Sequence, residues 1–162
     1  MNEIEEIKKL KSRYFHALDT KDWDAFREVF TADFISDTTG SGGKVINGAD
    51  NFVSYVRKTL SSNSTVHHGH MPEIELTSSD TAIGIWAMED LVRFLGCIDL
   101  HGYGHYHEKY KKVDGQWRIS YSRLTRLRMD IRLFIFSIKI PQFLIKRMNK
   151  KTNNEQSQDE NT

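Results

Sequence analysis

Cysteine is almost absent from this chain, and no long apolar run is free of charge. The single cysteine, Cys97, rules out an intramolecular disulfide. The first ten residues, MNEIEEIKKL, are charged from residue 3 onward and lack the apolar core of a signal peptide, so we expect a cytoplasmic protein. The most apolar segment, residues 131–148, is interrupted by Arg132, Lys139 and Pro141, which argues against a membrane-spanning helix of about 20 apolar residues.

The composition is that of a globular domain. The 162 residues are 38% hydrophobic and 28% charged, with 9 Phe, 6 Tyr and 3 Trp, which excludes a disordered, collagen-like or disulfide-stapled chain. A chain of this length is sufficient for one hydrophobic core. We predict one domain at residues 1–130, a basic and apolar C-terminal extension at 131–151, and a disordered polar tail at 152–162.

The net charge of +1 conceals an uneven distribution along the chain. Residues 123–151 contain nine basic residues and one acidic residue, a net +8, while the remaining 14 basic and 21 acidic residues give −7. A basic stretch raises the question of nucleic acid binding. We predict that Arg123, Arg126 and Arg128 share one strand face, but the segment contains no recognised nucleic acid motif. We therefore expect no nucleic acid partner and no membrane span.

The spacing of apolar residues predicts helices in the first third of the chain. Apolar side chains recur every three or four positions from residue 4 to about Asp19, which is typical of an amphipathic helix. Asp22 is well placed as the N-cap of a second helix that continues through Trp23, Phe26 and Val29 to Phe30, and residues 48–60 are predicted to form a third. The glycine-rich residues 38–43 are predicted to form a loop between two short strands.

The remainder of the domain is predicted to be sheet. Turn signals, of which Asp114-Gly115 is the strongest, separate long strand candidates at residues 65–76, 81–94, 103–113 and 116–129. Helices followed by a meander of strands define the α+β class. We predict a cone-like, curved antiparallel sheet packed against three N-terminal helices, with a pocket between the two layers.

Asp90 is the one charged residue on an otherwise apolar strand face. That face contains Ala82, Gly84, Trp86, Met88, Asp90, Val92 and Phe94. A carboxylate in this position needs a partner, because its desolvation is otherwise too costly. The alternative is an outward-facing aspartate after a bulge, and alternation alone does not distinguish the two.

Three histidines stand close together, at His67, His68 and His70. Alternation places His67 on one strand face and the other two on the opposite face with Ile74 and Leu76, without showing which one is functional. His68 and His70 with Glu75 also permit a metal site of the two-histidine, one-carboxylate type. We favour a proton-transfer histidine, because Pro72 is expected to break the register before Glu75.

Asp19 is predicted at the C-terminal end of the first helix, where it opposes the helix dipole. The position is unfavourable unless a cationic or hydrogen-bonding group compensates, and a histidine is well suited to that role. A carboxylate beside a histidine fixes the tautomer and raises the basicity of the imidazole, as a general base requires. Tyr14 lies on the apolar stripe of the same helix; a loop cap and a core tyrosine are the alternatives for these two residues.

Several short segments together resemble the SnoaL-like branch of the nuclear transport factor 2 superfamily. Within that branch the chain is most similar to the bacterial bile acid 7α-dehydratases. The resemblance spans about residues 4–130 and rests on KSRYFHALD at 11–19, VHHGH at 66–70, WAMED at 86–90, YKKVDGQW at 110–117 and Arg126.

The resemblance implies a nuclear transport factor 2-like fold and a catalytic set. Carried over by position, that set is Tyr14, Asp19, His67, Asp90 and Arg126, which selects His67 among the histidines. Trp86, Met88, Phe94 and Tyr106 would form the apolar wall for substrate.

The implied activity is that of a dehydratase without cofactor or metal, acting on a hydrophobic, steroid-like or alicyclic hydroxy-carbonyl compound. The resemblance also implies a homo-oligomer, either a dimer or a trimer. A non-catalytic small-molecule binding module and a double-bond isomerase on the same fold are the alternatives.

Overall fold

A computed structural model describes residues 2–133 of the protein. Residues 134–162, which include most of the predicted C-terminal extension and the whole polar tail, lie outside the described residues. Among the residues that are described, no helix is both long and apolar enough to cross a membrane.

Helix α1 extends over Glu3–Thr20 and forms for reasons visible in its sequence. Asn2 caps its N-terminus, since the Asn2 side chain accepts a hydrogen bond from the Ile4 backbone N–H at 3.1 Å. The helix ends at Lys21, whose positive φ of 65° is the left-handed conformation that commonly terminates helices. Its apolar stripe is buried, as predicted.

Two shorter helices complete the helical layer. Helix α2, Trp23–Glu28, begins at Asp22, whose carboxylate accepts a hydrogen bond from the Ala25 N–H, so the predicted N-cap is confirmed. Helix α3, Ala49–Leu60, buries four apolar side chains on one face. The predicted second helix was too long at its C-terminal end, because Phe30 already begins the first strand.

Six strands form one curved, unclosed sheet in the spatial order β2-β1-β6-β5-β4-β3. Their bounds are β1 Phe30–Asp37, β2 Val45–Asn47, β3 Ser64–Leu76, β4 Thr81–Phe94, β5 Ile98–Val113 and β6 Gln116–Leu133. All neighbours pair antiparallel except β1 and β6, which are parallel. The predicted α+β fold is confirmed, and this parallel pair is its one departure from a purely antiparallel sheet.

The Asp114-Gly115 turn joins β5 to β6, as predicted from the sequence. Both residues have positive φ, 52° and 77°, which matches the twist of a two-residue hairpin. β5 begins at Ile98 rather than at residue 103, and β6 continues to Leu133. Residues 131–133, which we assigned to the extension, therefore belong to the sheet.

The hydrophobic core lies between the helices and one end of the sheet. Its centre is a group of aromatic rings, with Phe30 and Phe34 at a centroid distance of 4.3 Å and Phe26, Phe52 and Tyr14 packed around them. A second apolar cluster of Trp86, Met88 and Tyr106 lies farther along the inner face of the sheet. Phe15 and Ile74 pack against both clusters and connect them.

A charged pair is fully buried between helix and sheet. Lys11 Nζ is 2.6 Å from Glu108 Oε1, and both side chains are 0% exposed. Glu108 also accepts hydrogen bonds from the Tyr110 hydroxyl at 2.6 Å and from Ser122 at 3.1 Å. Burial lowers the pKa of the Lys11 ammonium, and the charge of Glu108 opposes that shift. The pair is satisfied only as a unit, since either charge alone would be desolvated without a partner.

Lys11→Met is therefore expected to destabilise the protein by about 3–5 kcal/mol, because it leaves the Glu108 carboxylate buried without a cation. Denaturant unfolding of the variant and of the wild type measures the difference. The double variant Lys11→Met with Glu108→Gln should recover part of the loss, since the buried charge is gone. Lys9→Met, at an exposed position of the same helix, is the control. A loss equal to that of the control would contradict the prediction.

Candidate active site

The end of α1 and the start of β3 bring Asp19 and His67 together. Asp19 Oδ1 lies 2.6 Å from His67 Nδ1, and Asp19 Oδ2 accepts a hydrogen bond from the His67 backbone N–H at 2.8 Å. His67 is 8% exposed. A carboxylate bound to Nδ1 directs that nitrogen to carry the proton, so Nε2 is left as the basic atom.

Asp19 accepts a further hydrogen bond from the Thr65 hydroxyl, at 2.8 Å to Asp19 Oδ1. Lys21 Nζ contacts the same hydroxyl at 2.5 Å and the Leu18 carbonyl at 3.2 Å. Burial acts to raise the pKa of the Asp19 carboxyl, but the hydrogen bonds from His67 and Thr65 outweigh it, so the pKa lies below its ordinary value. The unfavourable position at the helix C-terminus is thus compensated by a histidine, as the sequence suggested.

Gly69 allows α1 to approach β3 closely enough for this contact. It follows His67 by two residues on the same strand face, and a Cβ atom there would lie 2.7 Å from the Phe15 ring and 3.2 Å from Trp86. Contacts that short are not tolerated by packed aromatic rings. The glycine therefore sets the distance between helix and strand beside His67.

Asp90 and Arg126 form a second pair on the same face of the sheet. Arg126 donates two hydrogen bonds to the Asp90 carboxylate, at 2.9 and 2.6 Å, and Asp90 is 4% exposed. The bidentate geometry supplies the partner that the buried carboxylate requires. In the β3–β4 register Asp90 lies directly opposite His67. The outward-facing alternative for Asp90 is thereby excluded.

Gly102 makes room for this ion pair. It is the β5 residue opposite Asp90, and a Cβ at Gly102 would overlap both Arg126 Nη1 and Asp90 Oδ1. Because no positive φ is involved, space rather than backbone conformation requires glycine here. The sequence reasoning missed Gly102, and only the strand register could have indicated its role.

Tyr14 lies deeper than the other predicted site residues. It is 6% exposed and packs with Tyr106 at a ring-centroid distance of 6.2 Å. Burial, then the neighbouring Tyr106 and Glu108, raises the pKa of the Tyr14 hydroxyl well above its ordinary value. Burial also raises the pKa of Tyr106. The negative charge of Asp90 acts in the same direction, and the positive charge of Arg126 opposes it. Both phenols are therefore protonated at neutral pH and can donate a hydrogen bond.

The predicted apolar wall is partly assembled. Trp86, Met88 and Tyr106 form one buried cluster, against which Phe15 and Leu124 also pack. Phe94 lies at the far end of β4, half-buried and outside that cluster. Met88 Sδ additionally contacts Arg126 Nη1 at 3.5 Å, which places the wall next to the ion pair.

Lys11 was not predicted as a site residue, although the helical stripe includes its position. Its ammonium lies over the rings of Tyr106 and Tyr14, 3.8 and 4.2 Å from their centroids. A desolvated cation over an aromatic face is an attractive contact. Lys11 thus connects the buried pair with Glu108 to the two tyrosines, and its charge inside an apolar stripe was the available signal.

A bulge in β3 follows the three histidines and reverses the faces of the residues after it. Register is interrupted between His70 and Glu73, where Met71 has a positive φ of 42°. Up to the bulge the predicted alternation holds, with His67 on the inner face and His68 opposite. Beyond it, Ile74 packs on the inner cluster with Trp86, so the prediction that Ile74 shares a face with His68 and His70 was wrong.

The three arginines of β6 do not share one face. The register shifts between Tyr103 and Gly104, which pair with Arg128 and Arg126 respectively, so that Leu127 has no partner. Arg126 is consequently turned inward to Asp90, while Arg128 pairs with Asp130 at 2.9 Å on the outside. The predicted shared basic face was therefore wrong. Arg123 and Arg126 are three residues apart, so alternation alone puts them on opposite faces, and the bulge separates Arg128 from Arg126.

A cavity of about 780 Å³ lies away from these residues, between α1, α2 and the β5–β6 turn. Its lining includes His16, Arg13 and Asp22, all of which are exposed. We place the candidate site at His67 instead, because buried and paired titratable groups converge there, whereas the titratable residues named for the cavity are exposed.

Comparison with known proteins places this arrangement in a family. The profile of the SnoaL-like domain family matches residues 1–123, and the chain belongs to that family. A probable cyclase, FGR4, of Gibberella zeae is 25% identical over 133 residues, covering 75% of this chain and 89% of the cyclase.

Solved structures share the fold at low sequence identity. A candidate scytalone dehydratase from Novosphingobium aromaticivorans is 19% identical with a TM-score of 0.72, covering 85% of this chain and 95% of its own. The hexachlorocyclohexane dehydrochlorinase LinA-type3 from Novosphingobium barchaimii LL02 is 18% identical with a TM-score of 0.71, covering 83% and 92%. At these identities the likeness shows the fold alone.

Gly102→Ala is expected to destabilise the protein by about 1–3 kcal/mol, because the added methyl group overlaps the Asp90–Arg126 pair. Denaturant unfolding measures this loss. Gly40→Ala is the matched control, since a Cβ there meets nothing closer than 3.5 Å. A Gly102→Ala variant as stable as the wild type would show that the pair does not occupy this space.

The stability contribution of Asp19 is expected to depend on pH. Because the folded-state pKa lies below the ordinary value of 3.8, the carboxylate stabilises the fold fully above that value and loses its effect as the pH falls through the lowered pKa. The difference in unfolding free energy between wild type and Asp19→Asn should therefore shrink between about pH 5 and pH 2. Asp24→Asn, at an exposed position of α2, is the control. A difference that is constant over this range would contradict the assignment.

Proposed function

We propose that this protein is a cofactor-independent lyase of the dehydratase type, in which His67 is the general base. The observation that carries the proposal is the pair of Asp19 and His67 on the inner sheet face, joined at 2.6 Å, with the His67 side chain 7% and the Asp19 side chain 23% exposed. The carboxylate at Nδ1 fixes the tautomer and the orientation of the ring, so that Nε2 is the atom available to accept a proton. Asp90 lies opposite His67 on the neighbouring strand, so the Asp90–Arg126 pair places fixed charges beside the histidine on the same sheet face.

The proposed reaction removes water from a β-hydroxy carbonyl compound or its vinylogue. His67 Nε2 takes the acidic C–H proton, and the electron pair of that bond forms the new double bond as the C–O bond breaks. The departing hydroxide takes one proton and leaves as water. Transfer of that proton from the His67 imidazolium returns the enzyme to its starting protonation state.

Tyr14, Tyr106 and Arg126 would stabilise the charge that develops on the carbonyl oxygen. The phenols are protonated donors in a dry environment, where a fixed hydrogen bond is worth more than in water. Arg126 would orient the substrate, because a guanidinium is a planar hydrogen-bond donor and not a proton-transfer group in proteins. Asp90 holds the guanidinium in place through two hydrogen bonds.

The apolar cluster beside the ion pair supports a hydrophobic substrate. Trp86, Met88 and Tyr106 present rings and a flexible thioether next to Arg126, which suits an alicyclic or steroid-like ring carrying one carbonyl group. The dehydratase and dehydrochlorinase among the structural neighbours are both named for elimination reactions. This proposal includes four further predictions from the sequence. They are a bile acid-like substrate, a contribution of Phe94 to the apolar wall, a cytoplasmic location, and assembly as a dimer or trimer.

The proposal is tested by incubating the protein with a panel of hydroxy-ketosteroids, their thioesters and simpler alicyclic β-hydroxy ketones. Mass spectrometry would detect the loss of one water from the substrate. We expect His67→Ala and Asp19→Asn each to lower kcat by about 10²–10⁴-fold, because both remove the oriented general base. His16→Ala, an exposed histidine of α1, is the control and should retain full activity.

Full activity in both His67→Ala and Asp19→Asn would refute the mechanism. A product of unchanged mass would identify an isomerase instead of a dehydratase. Saturable binding across the panel with no product would identify a binding module.

A further inference from the structure

A second group of histidines lies on the outer face of the sheet and takes no part in the proposed reaction. His68 and His70 are exposed on β3, and Glu89 is half-buried on β4. His68 and His70 follow His67 by one and three residues, and Glu89 directly precedes Asp90. Because side chains alternate along a strand, all three lie on the face opposite to the candidate active site. These three residues and the candidate active site are thus separated by the thickness of the sheet.

The three side chains converge on one point. His68 is directly opposite Glu89 in the strand register. His70 Nε2 lies 3.9 Å from Glu89 Oε2, and the rings of His68 and His70 are 5.7 Å apart. One potential ligand atom from each residue lies within 4.8 Å of those of the other two. Ligands of a tetrahedral Zn²⁺ ion are about 3.4 Å apart, given metal–ligand bonds of about 2.0–2.1 Å, so small rotations of exposed side chains would close the site.

Glu89 is already held in position by a fourth residue. His101 Nε2 lies 2.6 Å from Glu89 Oε1, and the His101 ring stacks on Tyr103 at a centroid distance of 4.7 Å. This leaves Glu89 Oε2, the oxygen nearest His70, free to bind an ion. Outer-sphere hydrogen bonds of this kind orient a carboxylate ligand in metal sites.

We infer that His68, His70 and Glu89 bind one divalent transition-metal ion, with Zn²⁺ as the representative, on the outer face of the sheet. Two imidazoles and one carboxylate are a donor set typical of Zn²⁺, whereas Ca²⁺ and Mg²⁺ favour oxygen ligands. Three protein ligands leave the fourth position open to solvent. The ion would link β3 to β4 at the register that carries His67 and Asp90, and would thereby stabilise this part of the sheet.

The sequence alone suggested a different carboxylate. Glu75 was considered as the third ligand because it follows the two histidines in the same strand. After the bulge Glu75 pairs with Ile83, so it lies away from the histidines along β4. The neighbouring strand supplies Glu89 instead, which sequence separation did not reveal.

The inference is tested on the full chain without an affinity tag, by titration with Zn²⁺ in a calorimeter. Binding of Co²⁺, which replaces Zn²⁺, would be followed by its visible absorption spectrum. We expect one ion per chain. His68→Gln and His70→Gln should each lower the association constant at least tenfold and change the Co²⁺ spectrum, since each removes one nitrogen ligand. The melting temperature of the wild type should rise by several degrees in excess Zn²⁺, and that of His68→Gln should not.

His105→Gln is the matched control, because His105 lies on the outer face of β5 and outside the group of three. It should bind Zn²⁺ like the wild type. The inference would be overturned by an absence of saturable binding, or by equal affinities in His68→Gln, His70→Gln and wild type. One ion bound per two chains with accompanying dimerisation would place the ligands in two copies and would also overturn it.

Discussion

Desolvation of charge is the constraint on which the arrangement of this protein depends. Two pairs of ionisable side chains, Asp19 with His67 and Lys11 with Glu108, join helix α1 to the sheet. A third, Asp90 with Arg126, joins β4 to β6 on the inner face of the sheet, and in all three places an unpaired buried charge would be unfavourable. Each pair joins two elements that are distant in sequence. The pairs therefore hold the helix and the strands at fixed distances while they supply polar groups to an apolar interior.

Small residues and bulges make those pairs geometrically feasible. Gly69 and Gly102 leave the space that helix α1 and the Arg126 guanidinium occupy. The irregularities in β3 and β6 rotate selected side chains inward, so that a strand with a basic outer surface can still direct one arginine to the inner face. Before the bulge in β3, regular alternation places His67 on the inner face and His68 and His70 on the outer face, so one short segment serves two faces of the sheet.

Much of the fold follows from local pattern. The N-cap at Asp22, the turn at Asp114 and Gly115 and the bounds of β4 were predicted because capping, turn chemistry and alternation are local properties. The parallel pairing of β1 with β6 was not predicted, since it joins strands from the two ends of the domain. The face predicted for Ile74, and the shared face predicted for Arg126 and Arg128, were wrong because a single bulged residue reverses alternation for the residues that follow it.

For the candidate site, the sequence by itself determined which residues needed partners. Asp19 at a helix C-terminus and Asp90 on an apolar face are unfavourable where they stand, and that is apparent from helix dipole and alternation alone. Only the tertiary structure decided which partners they have. His67, Arg126 and Glu89 acquire their neighbours through strand register and helix packing, and these depend on contacts between segments far apart in the chain, for which no local residue pattern carries the information.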